Sequence, residues 1–243
     1  ILSGGGRNPP GGQALATVPG AMAVKRSRGV TLTVCGLVLL LAIASCTPLP
    51  TPVPGQRPER PRPGDYYVDG RRGSDENPGT AAAPWRTIQR AADTVVAGST
   101  VHVRAGRYAE RVRVTRPGRR GAPIVFQAEG TVRTKGFTIL TSDITVRGFE
   151  ITGTDDVWDD GVGIFVHAGR CVLEENEIRH ATRGGILLFG ENGEEGSREC
   201  IVRNNLLVRN GLVGIELHGE DHVIEGNEIW GTIQHHPKWP SPP

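Results

Sequence analysis

Aromatic residues make up only 5% of this 243-residue chain, methionine occurs once and lysine three times. The four cysteines form no Cys-x-x-Cys pair, which removes the usual spacing of a zinc site. The arginines are scattered and no aromatics interleave with them, so there is no nucleic-acid-binding stripe. Formal net charge is only +2. The one apolar run near the N-terminus, Val30–Ala44, is short for a membrane-spanning helix. Glycine is abundant instead, at 34 residues, which suits a turn-rich β protein. The near-zero net charge conceals an asymmetry. Residues 57–137 hold 16 Lys and Arg against 8 Asp and Glu, whereas residues 138–243 hold 8 against 18.

One phrase recurs four times between residues 142 and 231. It starts at Ile144, Cys171, Cys200 and His222, with steps of 27, 29 and 22 residues. A second phrase falls between its copies: Gly163–Val166, Gly185–Leu188 and Gly214–Leu217. Repeats of this length indicate a solenoid, and alternation of apolar with polar residues indicates strands. Such strands bury their apolar faces only when coil stacks on coil. The predicted fold is therefore all-β, a parallel β-helix of four to five coils and two strands per repeat. Ile144, Val146, Ile151 and their equivalents should point inward. Asn176, Asn205 and Asn227 share one position, where they would form an amide ladder or serve as left-handed turn residues.

The N-terminus reads as an address. Residues 1–21 lack a starting methionine and read as an upstream, non-native extension. Met22 opens residues 22–45, where basic residues precede the apolar run in the plan of a signal peptide. Ile43-Ala-Ser-Cys46 resembles the bacterial lipobox, which implies lipidation at Cys46 and a location on the cell envelope; the alternative is an uncleaved anchor. Residues 46–64 are a Pro-rich tether. Cys171 and Cys200 then remain, one coil apart, as a disulfide or as two buried thiols.

Residues 65–114 have a different character. A strand at Asp65–Val68 and a turn-rich stretch lead into a helix from Pro84 to Ala92, with Trp85, Ile88, Ala91, Ala92 and Val95 on one face. The run Tyr67-Val68, Gly73–Thr80, Pro84–Gln89 and Val101–Tyr108 resembles the opening module of secreted right-handed parallel β-helix proteins, among them pectate lyases of polysaccharide lyase family 9. That resemblance implies a right-handed solenoid whose N-terminal helix caps the first coil. Residues 115–231 carry the coils, and residues 232–243 break off in a proline-rich loop, which reads as a truncated chain with more coils to follow.

Two places could carry chemistry. His167, Phe189 and His218 should stack outward on one face, with Phe165, Leu187 and Glu216 as the neighbouring outward set. His167, His218 and Glu216 are the candidate catalytic groups and Phe189 the candidate sugar platform; the alternative is a neutral surface ladder. Asp155, Asp156, Asp159 and Asp160 crowd four carboxylates into six residues, a solvated turn or a Ca²⁺ site. Family 9 lyases hold calcium with a run resembling Asp-Asp-Gly-x-Asp. Asp159-Asp160-Gly161 matches its start, and Gly163 replaces its last aspartate. Those lyases use a lysine base, and none of Lys25, Lys135 and Lys238 stands at the matching place.

The expectation is an envelope-anchored monomer acting on polysaccharide by lyase-type cleavage of an acidic glycan. The alternative is a carbohydrate-binding or structural β-helix without catalysis. Expected partners are polysaccharide and the membrane through the lipid, without nucleic acid.

Overall fold

The computed structural model describes residues 61–155, 161–190 and 196–232, all within one compact unit, Gly55–Pro243. Cys46 and the signal lie outside the described residues.

The chain winds as a right-handed parallel β-helix with three strands per full coil. Strand β1 (Asp65–Val68) pairs with β2 (Thr100–Arg107), and β3 (Arg111–Val114) completes that coil. The next holds β4 (Ile124–Thr134) and β5 (Gly136–Ile139). Three coils follow: β6 (Ile144–Arg147), β7 (Glu150–Thr152) and β8 (Val162–Val166); β9 (Val172–Glu174), β10 (Glu177–Arg179) and β11 (Gly184–Leu188); β12 (Ile201–Arg203), β13 (Leu206–Val208) and β14 (Val213–Leu217). Strands β15 (Val223–Glu225) and β16 (Glu228–Trp230) start another. The first face is the row β4-β6-β9-β12-β15. The second runs from the ends of β2 and β4 through β7, β10, β13 and β16, and the third is β3-β5-β8-β11-β14.

The first sequence phrase is therefore two strands, not one. It bends at Gly148, Glu175, Asn204 and Gly226, all at positive φ. Two further corners per coil also take left-handed backbone, at Asp143, Arg170, Glu199 and Asp221, and at Gly153, His180, Arg209 and Gly231. A left-handed residue normally costs a non-glycine side chain about 1–2 kcal/mol. Here the amides of eight of these corners donate to the next coil, as Arg170 N does to Arg198 O at 2.8 Å and Arg209 N to Trp230 O at 2.8 Å.

Inside the bend the asparagines form the ladder. Asn176 Nδ2 donates to Val146 O at 3.0 Å, and Asn205 Oδ1 accepts both Asn176 N and Asn176 Nδ2 at 3.0 Å. Asn205 Nδ2 donates to Leu173 O, and Asn227 Oδ1 accepts Asn205 N. Phe149 N donates to Asn176 Oδ1 at 3.1 Å and ends the series. There the core turns aromatic: Phe137 lies edge-on to Phe149 and tilts against Phe126.

The expected inward positions are buried through β13, including Ile144, Val146, Ile151, Ile164, Ile186 and Leu188. Ile224, Ile229 and Leu217 occupy the same register but are exposed, because no coil stacks on them among the described residues. Phe165 and Leu187, expected to face solvent, are buried. They form a second apolar cluster with Val162, against which Leu140 and Phe189 pack, on the outer side of the third face.

At the N-terminal end, helix α1 (Ile88–Thr94) lays Ile88, Ala91 and Ala92 on the core. It begins later than the sequence suggests because Thr87 is its N-cap. Glu110 accepts Ile88 N and Gln89 N, and Asp75 accepts Arg86 N and Thr87 N. Trp85 precedes the helix, buried against Gly79, where a Cβ would stand 2.6 Å from the indole.

Of the two alternatives for Cys171 and Cys200, the structure has the buried thiols: both are free and buried. They stand side by side in register, since Ile201 pairs with Val172. Each sulfur turns to carbonyls instead, Cys171 Sγ to Gly169 O and Cys200 Sγ to Ala168 O.

Candidate functional site

The second face carries its outward side chains in rows fixed by strand register. Arg107 pairs in register with Arg133, Arg133 with Glu150 and Glu150 with Glu177. An extra residue in β4, which pairs Arg104 with Glu129 but Gly106 with Val132, sets the first of these pairings. The row thus begins with two cations and changes sign. At its cationic end, the corner between the second and third faces opens into a cleft of about 300 Å³, lined by Arg107, Tyr108, Arg133, Lys135 and Thr152 among others. It adjoins a hollow of about 250 Å³ that shares Arg133 and Thr152 and extends to Glu177 and Arg179.

The walls are fixed. Tyr108 Oη donates to Arg104 O at 2.8 Å and accepts Gly70 N at 3.1 Å; burial raises its pKa, keeping it a neutral phenol. Thr134 Oγ1 donates to Glu110 O at 2.6 Å. The cations differ in how far they are already engaged. Arg133 Nε meets Glu150 Oε2 at 2.6 Å, and Arg179 pairs with Glu177 on its own strand. Arg107 is exposed and has no ion pair among the described residues. Such a cleft can hold a carboxylate against a guanidinium fork.

Lys135 Nζ lies 2.8 and 2.6 Å from the two oxygens of Asp155. That contact bears on the expected calcium site. Asp155 is here one half of an exposed ion pair. Asp156, Asp159 and Asp160 lie outside the described residues, and no group of three or more His, Cys, Asp or Glu able to hold a metal occurs among those described.

The ladder predicted on the third face is present. Phe189 lies 5.3 Å from the His167 ring, edge-on at 87°, and 6.0 Å from His218. Phe165 lies beside it at 5.8 Å, so the platform is the rim of the outer apolar cluster. Glu216, two residues from His218 and therefore on the same side of β14, accepts from His218 Nε2 at 3.0 Å. Arg183 Nη2 lies 3.5 Å from the other Glu216 oxygen. His218 consequently has the orienting carboxylate a general base requires. It stands, however, at the far end of the third face from the cleft. Strand β11, five residues long, separates the two edges by about 17 Å.

Another hollow of about 330 Å³ lies beside the cap, between Arg62, Tyr66 and Arg90. Its aromatic wall is committed internally: Tyr66 stacks on Trp85, whose Nε1 donates to Asn77 O at 2.7 Å.

The cleft was absent from the sequence-based candidates. The basic excess before residue 138 was its only trace, and the register that joins Arg107 to Arg133 is not visible in the chain. Glu216 and His218 were visible as two outward positions on neighbouring places of one repeat, but their contact was not.

The architecture, with corner ladders and outward rows, defines the chain as a right-handed parallel β-helix protein. Comparison with known families agrees: residues 127–232 match the right handed beta helix region family, and residues 71–117 match a protein of unknown function family, DUF1565. The chain is 42% identical over 64 residues to uncharacterized protein YwoF of Bacillus subtilis, covering 26% of this chain and 14% of that protein. It is 41% identical over 93 residues to pectate lyase PEL9 of Emericella nidulans, covering 37% and 20%. The crystal structure of pectate lyase Pel9A superposes with a TM-score of 0.58 at 18% identity, over 68% of this chain and 47% of that one, a likeness of fold. The chain thus spans a fifth or less of these curated relatives.

Proposed function

We propose that this chain binds an acidic polysaccharide across the cleft of Arg107, Arg133 and Lys135, and that the protein acts on that glycan by lyase-type cleavage. The observation that carries the reading is the pairing of Arg107 with Arg133 on adjacent coils above a rigid wall. Neighbouring strands lie about 4.8 Å apart, so two cations on adjacent coils can grip one carboxylated sugar or two successive ones. The relative named a pectate lyase supports the same substrate class.

In such cleavage a base removes the proton α to the uronate carboxylate, and cations offset the charge that builds on that carboxylate. Arg107 and Arg133 are suited to the second task. A second reading, glycan binding without cleavage, is favoured by one observation: the His218–Glu216 pair and the cleft lie at opposite edges of the third face. Absorbance of unsaturated product separates the readings. Incubation with polygalacturonate and a panel of other uronates, with calcium and with chelator, should generate absorbance that Arg133→Ala reduces at least tenfold. Retained binding with no product from any uronate would establish the second reading.

A further inference from the structure

The outward rows of the second face continue past the cleft and change chemistry twice. After Arg107 and Arg133 come Glu150 and Glu177, then Leu206 and Glu228 in register. In the parallel row Thr152 is followed by Arg179, Val208 and Trp230. Trp230 is 62% exposed, although it lies on a strand whose backbone is paired. Part of that exposure is shared with Ile229, since no coil stacks on β16 among the described residues, but the two side chains point opposite ways. Ile229 is an inward residue left uncovered, while Trp230 points away from the core, as Val208 and Arg179 do in the same row. Trp230 Nε1 donates to Glu228 Oε2 at 3.3 Å, which restrains the ring. Val208 and Leu206, half-buried, flank it one coil earlier.

We propose that Trp230, with Val208 and Leu206, forms a second sugar-binding subsite on the same glycan path, and that it takes an uncharged sugar. The proposal rests on the assignment of the cleft as the acidic-glycan site. An indole face offers large apolar area to the C–H face of a sugar ring, and the restraint from Glu228 lowers the ordering cost. Charge sets the selectivity. Glu150 and Glu177 already pair with Arg133 and Arg179, so the selection falls to the platform, where Glu228 has no ion pair among the described residues and repels a carboxylated sugar. An uncharged ring meets no such penalty, and Glu228 can accept from its hydroxyls. Four strand steps separate Arg133 from Trp230, about 19 Å. Both subsites are therefore filled only by an oligosaccharide of several rings, carboxylated at one end and neutral at the other.

The test is calorimetric titration of the full chain with three probes: a galacturonate dimer, a galacturonate hexamer, and hexasaccharides with two terminal uronates and four neutral hexoses, in either order. The mixed hexasaccharide in one order should bind at least tenfold more tightly than the dimer, and the galacturonate hexamer should not match it. Trp230→Ala should return the mixed ligand to dimer-like affinity and leave the dimer unaffected, while Trp230→Phe should restore most of the gain. The arginine pair Arg107→Ala/Arg133→Ala should lose all three probes. An unchanged affinity of Trp230→Ala for the mixed ligands would overturn the platform while the arginine variant upholds the cleft. An equal gain for the galacturonate hexamer would overturn the charge selection. Full binding by the arginine variant would overturn the cleft itself, and the platform argument with it.

Discussion

Asn205 shows at the scale of one residue how the coil is held. Its Oδ1 accepts the buried backbone N–H of Asn176, and its Nδ2 donates to Leu173 O and to Asn227 Oδ1. The Asn176 amide and the Leu173 carbonyl lie where water does not replace a lost bond. Asn205→Leu would fill the volume and strand the Asn176 amide and the Leu173 carbonyl, at about 1–3 kcal/mol for each unsatisfied group. Urea unfolding should show a loss of roughly 2–6 kcal/mol on that basis, and a change below about half a kcal/mol would mean the ladder is ornamental. The ladder was legible before the structure because three asparagines share one place in the repeat. Asn210 repeats the device at another corner, donating to Ile178 O and accepting Ala181 N. It escaped notice because no other coil carries asparagine there.

At the scale of the element, alternation exposed the strands and hid the corners. Glu175 and Asn204 hold left-handed backbone inside a phrase that reads as one strand, since Glu at that position carries no turn signal. Phe165 and Leu187 obey the alternation and still are buried, because the outer side of the third face has its own apolar cluster. Charge acts on one element in particular. Burial raises the pKa of Glu110, against the lowering effect of the Ile88 and Gln89 amides that its carboxylate caps. The folded state therefore binds that proton more tightly than the unfolded state, so this group's contribution falls as pH rises from the ordinary carboxylate range through the raised pKa, and is flat above it. Glu110→Gln keeps an acceptor for the helix and removes the ionisation. Its stability relative to wild type should rise across that pH window, as read from thermal midpoints in matched buffers. A constant difference between the two proteins at every pH would contradict the assignment.

Across the whole molecule, the solenoid converts a sequence asymmetry into a surface one. The arginine excess before residue 138 becomes the head of an outward row, and the acidic excess after it becomes the row's continuation. Arg107 and Arg133 are 26 positions apart and meet through the bulge in β4, a register that composition does not carry. The histidine ladder was foreseeable from alternation, while the cleft required strand pairing. The binding proposed at the cleft is electrostatic in origin, so its affinity should fall with ionic strength.

The most direct measurement of that cleft is titration of oligogalacturonate into wild type and into the charge reversal Arg107→Glu/Arg133→Glu, at two salt concentrations. Both residues are exposed, so circular dichroism should show the reversal still folded. Wild type should bind, more weakly at high salt, and the reversal should lose at least a hundredfold in affinity at low salt. Equal binding by the two proteins, insensitive to salt, would contradict an acidic-glycan site at this place.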